Sequence, residues 1–145
     1  MTTSLEFREL TTADTIAAAY DLMAVLRPHV PRESFVNQVM AQQREGYRLI
    51  GAYAAGQIVS LAGFRLSCTL FRGPHLFVDD LVTAPTEQGK GYGAAVLRHL
   101  AKLAADQGMS RVWLDSRDTA RTFYEKVGFT THKSIVCSID VKTLV

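Results

Sequence analysis

The chain opens on an alternation of apolar and polar residues, Leu5-Glu6-Phe7-Arg8-Glu9-Leu10, which predicts a strand. Thr12 and Asp14 follow as candidate helix N-caps. Ile16, Ala19, Leu22, Met23 and Leu26 then recur at helical spacing, and Pro28 and Pro31 close that helix. A second helical stripe, Phe35, Val36, Val39 and Met40, predicts a helix over 31–45 that stops at Gly46. The period next shortens to two. Residues 47–53 and 57–70 read as strands joined by a tight turn at Ala55-Gly56. A second turn, Phe71-Arg72-Gly73-Pro74, leads into a strand over 76–83. Three strands with short turns between them predict an antiparallel meander.

After Pro85 comes a glycine-rich turn, then a long helix from about Gly91 to Gln107. Val96, Leu100 and Leu103 form one stripe, with Leu97, Ala101 and Ala104 beside it, a face wide enough to pack on a sheet. Gly108 ends the helix, and 111–114 reads as a short strand. Strand, crossover helix and strand in this order predict a parallel pair. A short helix over 118–127 ends at Gly128, and 130–141 reads as a last strand. The expected fold is a single α/β (α+β) domain over 1–145. Its central sheet is mixed and mostly antiparallel, with helices on both faces.

Composition narrows the function classes. The 145 residues carry a formal net charge of +2, with 48% hydrophobic and 21% charged residues. That charge is too small for a nucleic-acid binder, and no run of Lys and Arg is present. The N-terminus lacks a signal-peptide core, and no apolar stretch approaches the ~20 residues a membrane span needs. A cytoplasmic protein is the default expectation. Cys68 and Cys137 stand outside any CxxC pair or histidine cluster, which argues against a disulfide framework or a metal site and predicts two small core residues.

The chemistry concentrates in Gln88-Gly89-Lys90-Gly91-Tyr92-Gly93. Glycines let backbone N–H groups approach a ligand unobstructed. The helix that begins there adds unpaired N–H donors and a positive dipole end. Together they suit a pyrophosphate, with Lys90 as a cation at the rim. Gly89, Gly91 and Ala94 also satisfy the dinucleotide pattern G-x-G-x-x-A, and Asp115 lies downstream as an acidic residue. In a dinucleotide site, however, the first glycine follows its strand almost directly, inside a βαβ unit. Here Ala84 to Gln88 intervene, and the strands upstream read as antiparallel.

Two further features carry a resemblance. A hydrophobic strand, Leu81-Val82-Thr83, precedes a loop in which Gln88, Gly91 and Gly93 stand at the spacing of the coenzyme A loop of GNAT N-acetyltransferases. Ala120-Arg121-Thr122-Phe123-Tyr124-Glu125-Lys126-Val127-Gly128-Phe129 matches that family's A-x-x-F-Y-x-x-x-G-F helix. The chain therefore resembles the GNAT superfamily along its whole length. The resemblance implies acetyl-CoA as cosubstrate and no metal. It implies direct attack of a primary amine on the thioester. The main chain of Leu81, Val82 and Thr83 would pair with the pantetheine arm, and Gln88, Gly89, Lys90, Gly91, Tyr92 and Gly93 would hold the pyrophosphate. Tyr124 would be the general acid for the leaving thiolate.

Asp79 is the candidate proton acceptor, because some family members carry an acid there. Asp79 and Asp80 interrupt an apolar strand, where carboxylates are costly unless exposed, paired or functional. Alternation puts Asp79 on the face of Leu81 and Asp80 on the other. His75 and His132 are further candidates for the base. The loop Asp115 to Thr119 is several residues shorter than the family's and lacks its usual Asn, so analogy is weakest on the acceptor side; Asp118 reads there as a helix cap. Arg27, His29, Arg32 and Arg44 could receive an acidic acceptor or form a solvated helix face. The acceptor is open among a small-molecule amine, an amino acid and a protein amino group, and so is a homodimer. The alternative to catalysis is a noncatalytic acyl-CoA-binding or regulatory domain of the same fold.

Overall fold

The computed structural model describes residues 4–145, which divide into a unit ending at Asp115 and a second unit, Ser116–Val145. In the first unit the alternating opening forms β1 (Leu5–Glu9). Thr12 caps α1 (Ala13–Ala18) with a reciprocal capping box to Thr15, which satisfies N–H groups that a helix start leaves unpaired. The helical stripe expected to run on to Leu26 is broken at the buried Ala19, and α2 (Tyr20–Leu26) continues from there. Helix α3 (Arg32–Arg44) begins after Pro31, whose ring fixes the extended entry.

Strands β2 (Tyr47–Ala54), β3 (Gln57–Thr69) and β4 (Gly73–Thr83) form the antiparallel meander. The β2–β3 turn places Ala55 and Gly56 at positive φ, the conformation a two-residue hairpin favours. Helix α4 (Tyr92–Asp106) crosses back to β5 (Val112–Leu114), which pairs with β4 in parallel. The sheet order is β1-β2-β3-β4-β5.

Both faces of this sheet are covered. Tyr47, Leu49, Leu61 and Val82 join Ile16, Leu22, Phe35 and Val39 of α1–α3 in one core. On the opposite face Tyr92 of α4 packs with Ala54 and Val59, and His99 stacks on Phe7 at 4.0 Å. The mixed, mostly antiparallel sheet with helices on both faces is thus present.

Gly63 marks the tightest point of the first core. A Cβ built there would lie 1.7 Å from the Tyr47 hydroxyl and 2.4 Å from its Cζ. Gly63→Ala is therefore expected to destabilise the protein by about 1–3 kcal/mol, the usual cost of overpacking. A urea titration checks this, and an unchanged midpoint contradicts it.

In the second unit, a 3₁₀ turn over Asp118–Ala120 leads into α5 (Arg121–Val127), which ends at Gly128 with φ 123°. Asp118 does not cap this helix. It is the first residue of the 3₁₀ turn, and no side-chain cap bond forms there. The strand expected over 130–141 is not formed either. Residues 131–140 are irregular, and Asp140 caps a short helix, α6 (Val141–Leu144), by accepting from the Lys142 N–H. The apolar pattern is real, but Ile135, Val136 and Ile139 are 85%, 77% and 55% exposed. An extended segment becomes a strand only beside a partner backbone and a surface to pack on. The two cysteines also depart from expectation, since both are exposed. Cys68 sits near the outer end of β3, opposite Pro74, and Cys137 lies in the irregular segment.

Candidate functional site

Strand β4 supplies the central geometry. Its parallel pairing with β5 covers Leu76, Phe77 and Val78 only. From Asp79 to Thr83 the strand continues along β3 with no ladder partner on its other side among the described residues. That side offers main-chain donors and acceptors to an extended ligand. Val82 keeps its side chain in the core, and its carbonyl accepts from Ser60 Oγ at 2.9 Å.

The loop after β4 is exposed from Gln88 to Gly91. Gly89 and Gly91 adopt φ of 82° and 85°, a left-handed conformation that other residues enter only at a cost. Gly91 is the N-cap of α4, and no side chain caps this helix. The N–H groups of its first turn are accordingly left for a ligand. Tyr92 contributes main chain alone, because its side chain is buried against Ala54 and Val59. Lys90 lies at the rim and donates to Glu87 Oε2 at 2.6 Å; that bond, with the carboxylate charge, raises its pKa.

At the other end of the unpaired stretch β4 bulges. Gly63 pairs with Asp80 and Phe64 with Val78, so Asp79 is the extra residue. The bulge overrides simple alternation and corrects the expectation that the two aspartates face opposite ways. Both line one pocket of about 490 Å³, together with Arg27, Glu45, Tyr47 and Arg65. Both carboxylates are held. Asp79 accepts from Arg65 Nε and Nη2 in a fork, each at 2.7 Å. Asp80 accepts from Arg27 Nε at 2.9 Å and from the Tyr47 hydroxyl at 2.7 Å. Burial, then the Asp80 charge, push the Tyr47 phenol far above its ordinary value, so it stays protonated and donates. Glu45 has no ion-pair partner among the described residues.

The remaining candidates scatter. Arg27 is committed to Asp80, and Arg32 to Asp21. Arg44 is exposed, and His29 lines a smaller pocket of about 180 Å³ beside Arg27 and Tyr47. His75 is 2% exposed and bonds the Gly73 carbonyl through Nδ1, a structural role. His132 lies in the irregular part of the second unit. Among the described residues no His, Cys, Asp or Glu cluster could hold a metal ion, and no helix is long and apolar enough to cross a membrane.

In the second unit Tyr124 meets Phe123 and Phe129 edge to face, at 5.0 and 5.6 Å. Burial raises its phenol pKa, which favours the protonated form. Among the described residues its hydroxyl has no hydrogen-bond partner.

Of the residues named as possible acceptor contacts only Arg27 lines this pocket, and sequence reasoning missed Tyr47, Gly63 and Arg65 as parts of it. The one available signal was Gly63, since an isolated glycine inside a strand marks a bulge or a close approach.

An unpaired strand edge that runs into a glycine-rich, uncapped helix N-terminus can offer main-chain donors and acceptors to an extended ligand ending in phosphate, and the comparisons give the protein's class. Residues 12–129 match the Acetyltransferase (GNAT) family. The chain is 30% identical over 131 residues to the uncharacterized N-acetyltransferase YhdJ of Bacillus subtilis, covering 87% of this chain and 92% of that one. It is 32% identical over 80 residues to the glucosamine 6-phosphate N-acetyltransferase of Trypanosoma brucei brucei, 54% of each chain. Among solved structures, an acetyltransferase from Trypanosoma brucei superposes with a TM-score of 0.78 at 25% identity, over 94% of this chain and 99% of that one. The chain belongs to the GNAT family, and it is an N-acetyltransferase.

Proposed function

We propose that residues 1–145 form one acetyltransferase domain that moves the acetyl group of acetyl-CoA to a primary amine bound in the Asp79–Asp80 pocket. The observation that carries this is the unpaired edge of β4, which ends at an uncapped helix N-terminus bearing two left-handed glycines. The pantetheine amides pair with the main chain of Leu81 to Thr83. The pyrophosphate takes the N–H groups of the loop Gln88 to Gly93, and Lys90 adds charge at its rim.

The amine nitrogen attacks the thioester carbonyl carbon, forming C–N as C–S breaks. The amine attacks in its neutral form, and the proton its nitrogen loses on forming the amide passes through water to Asp79. Arg65 fixes the Asp79 carboxylate, and the Asp79 side chain is 27% exposed. Tyr124 protonates the departing thiolate, and solvent returns a proton to Tyr124 after each turnover.

Charge balance at the pocket supports a cationic acceptor without phosphate. Both arginines of the pocket are paired with aspartates, and Glu45 adds a carboxylate with no arginine of its own. A phosphorylated aminosugar, the acceptor named for the trypanosomal relative, would meet no unpaired arginine there. The test is thiol release from acetyl-CoA with spermidine, glucosamine and glucosamine 6-phosphate. Spermidine is expected to give the highest kcat/KM, and glucosamine 6-phosphate the lowest. The reverse order contradicts a cationic acceptor. No thiol release with any amine, despite bound acetyl-CoA, favours the binding or regulatory alternative.

A further inference from the structure

The bulge at Asp79 is gripped from two elements at once. Arg27 caps the C-terminus of α2, and its guanidinium spans two successive residues of β4. Nη2 donates to the main-chain carbonyl of Asp79 at 2.9 Å, and Nε to the Asp80 carboxylate at 2.9 Å. From the other side Tyr47, the first residue of β2, reaches across β3 to the second oxygen of Asp80 at 2.7 Å. That path exists only because Gly63, the β3 residue opposite Asp80, has no side chain. Two strands, β2 and β4, and one helix end are thus tied at a single carboxylate. Arg27 is a fork-shaped donor that can hold a main-chain and a side-chain acceptor together, which a lysine cannot do with fixed geometry.

We infer that Tyr47 and Arg27 are positioning residues: acting through Asp80, they fix the β4 bulge so that the donor strand and Asp79 meet the acceptor in register. Reaction geometry is sensitive on this scale, since a displacement of about 1 Å at the reacting atoms costs on the order of 100-fold in rate. The pyrophosphate loop, which takes the charged part of the cofactor, lies at the other end of the unpaired stretch, so the device acts mainly on turnover and changes overall cofactor affinity little. The inference rests on the assignment of β4 as the acyl-donor strand for its effect on rate, though its structural half does not.

The experiment therefore has two arms. The first reads amide hydrogen exchange along β4 in the wild type and in Tyr47→Phe, a change that removes one hydroxyl. Exchange at Asp80 and Val82, whose N–H groups face β3, is expected to rise by ~10-fold or more relative to Leu76 and Val78, as loss of a coupled contact allows. Unchanged exchange, or a uniform rise along the strand, overturns the inference whatever the enzyme's activity. The second arm compares kcat and acetyl-CoA affinity for Tyr47→Phe, Asp80→Asn and the double variant, with the best amine of the panel above. Each single change is expected to lower kcat by ~10-fold or more. The acetyl-CoA Kd should stay within ~2-fold, and the double variant should fall no lower than the worse single. Additive losses in kcat, or losses matched by weaker acetyl-CoA binding, overturn it. A wild type whose β4 exchange behaves as expected but which never binds acetyl-CoA refutes the donor-strand assignment instead.

Discussion

Tyr124→Phe is expected to lower kcat by about 10²–10⁴-fold, the range for a positioned general acid, with acetyl-CoA affinity nearly unchanged. The thiolate leaves more readily when it is protonated as the C–S bond breaks. A phenylalanine keeps the edge-to-face contacts with Phe123 and Phe129 and removes only the hydroxyl that carries the proton. The pH dependence follows from the direction of the shift. Burial raises the phenol pKa above its ordinary value of about 10, so Tyr124 is protonated throughout the neutral range. A general acid is active while protonated and fails as pH rises through its folded pKa. The wild-type rate should therefore rise from neutral pH as more acceptor amine becomes neutral, and any loss owed to Tyr124 should appear only above pH ~10. Steady-state kinetics of both proteins across pH check this. Equal kcat for wild type and Tyr124→Phe removes Tyr124 from the mechanism.

The second large effect lies in the glycine loop. Gly91→Val is expected to weaken acetyl-CoA binding by about 10- to 100-fold. That corresponds to losing one charge-assisted hydrogen bond of ~1.5–3 kcal/mol to the pyrophosphate. Two causes combine. At φ 85° a β-branched residue is strained, so the loop shifts and its N–H groups turn away from the ligand. Apart from Gly91 and its two chain neighbours, no atom of the described residues lies within 4 Å of a Cβ built at Gly91, so the new side chain would project into the space proposed for the cofactor. Calorimetric titration with acetyl-CoA measures the change. A Kd within twofold of the wild type contradicts placement of the pyrophosphate in this loop.

What could be read from the sequence was what local chemistry dictates. Helix α4 and its entry were legible because glycines punctuate them and a broad apolar stripe lies between. Thr12 announced its helix for the same kind of reason, a side chain that satisfies its own neighbours. The hairpins of β2 to β4 followed from period-two patterning and their turns. The failures share a different cause. The bulge at Asp79 depends on which residue of β3 faces which residue of β4, a register that no short window contains. Without it, alternation sends Asp79 and Asp80 to opposite faces, whereas the folded strand turns both into one pocket. The reach of Tyr47 over Gly63 to Asp80 spans three strands, and Gly63 alone hinted at it. The strand expected over 130–141 failed because pattern supplies propensity but no partner. Cys68 and Cys137 failed likewise, since apolar flanks place a residue inside only where another layer covers it.

The glycine turn by itself fits a dinucleotide as well as coenzyme A, because Ala94 completes that fingerprint. Folding separates the two readings. The strand ahead of the loop lies between an antiparallel neighbour and a parallel one that stops at Val78, and a 3₁₀ turn over Pro85–Glu87 intervenes before the glycines. The most direct test is the thermal unfolding midpoint of the wild type with saturating acetyl-CoA and, separately, NAD. A ligand that binds the native state at 100 times its Kd adds ~2.7 kcal/mol of stability and raises the midpoint accordingly. Acetyl-CoA should raise it by several degrees and NAD should leave it in place. A shift with NAD and none with acetyl-CoA would contradict the assignment of β4 and its glycine loop to an acyl donor.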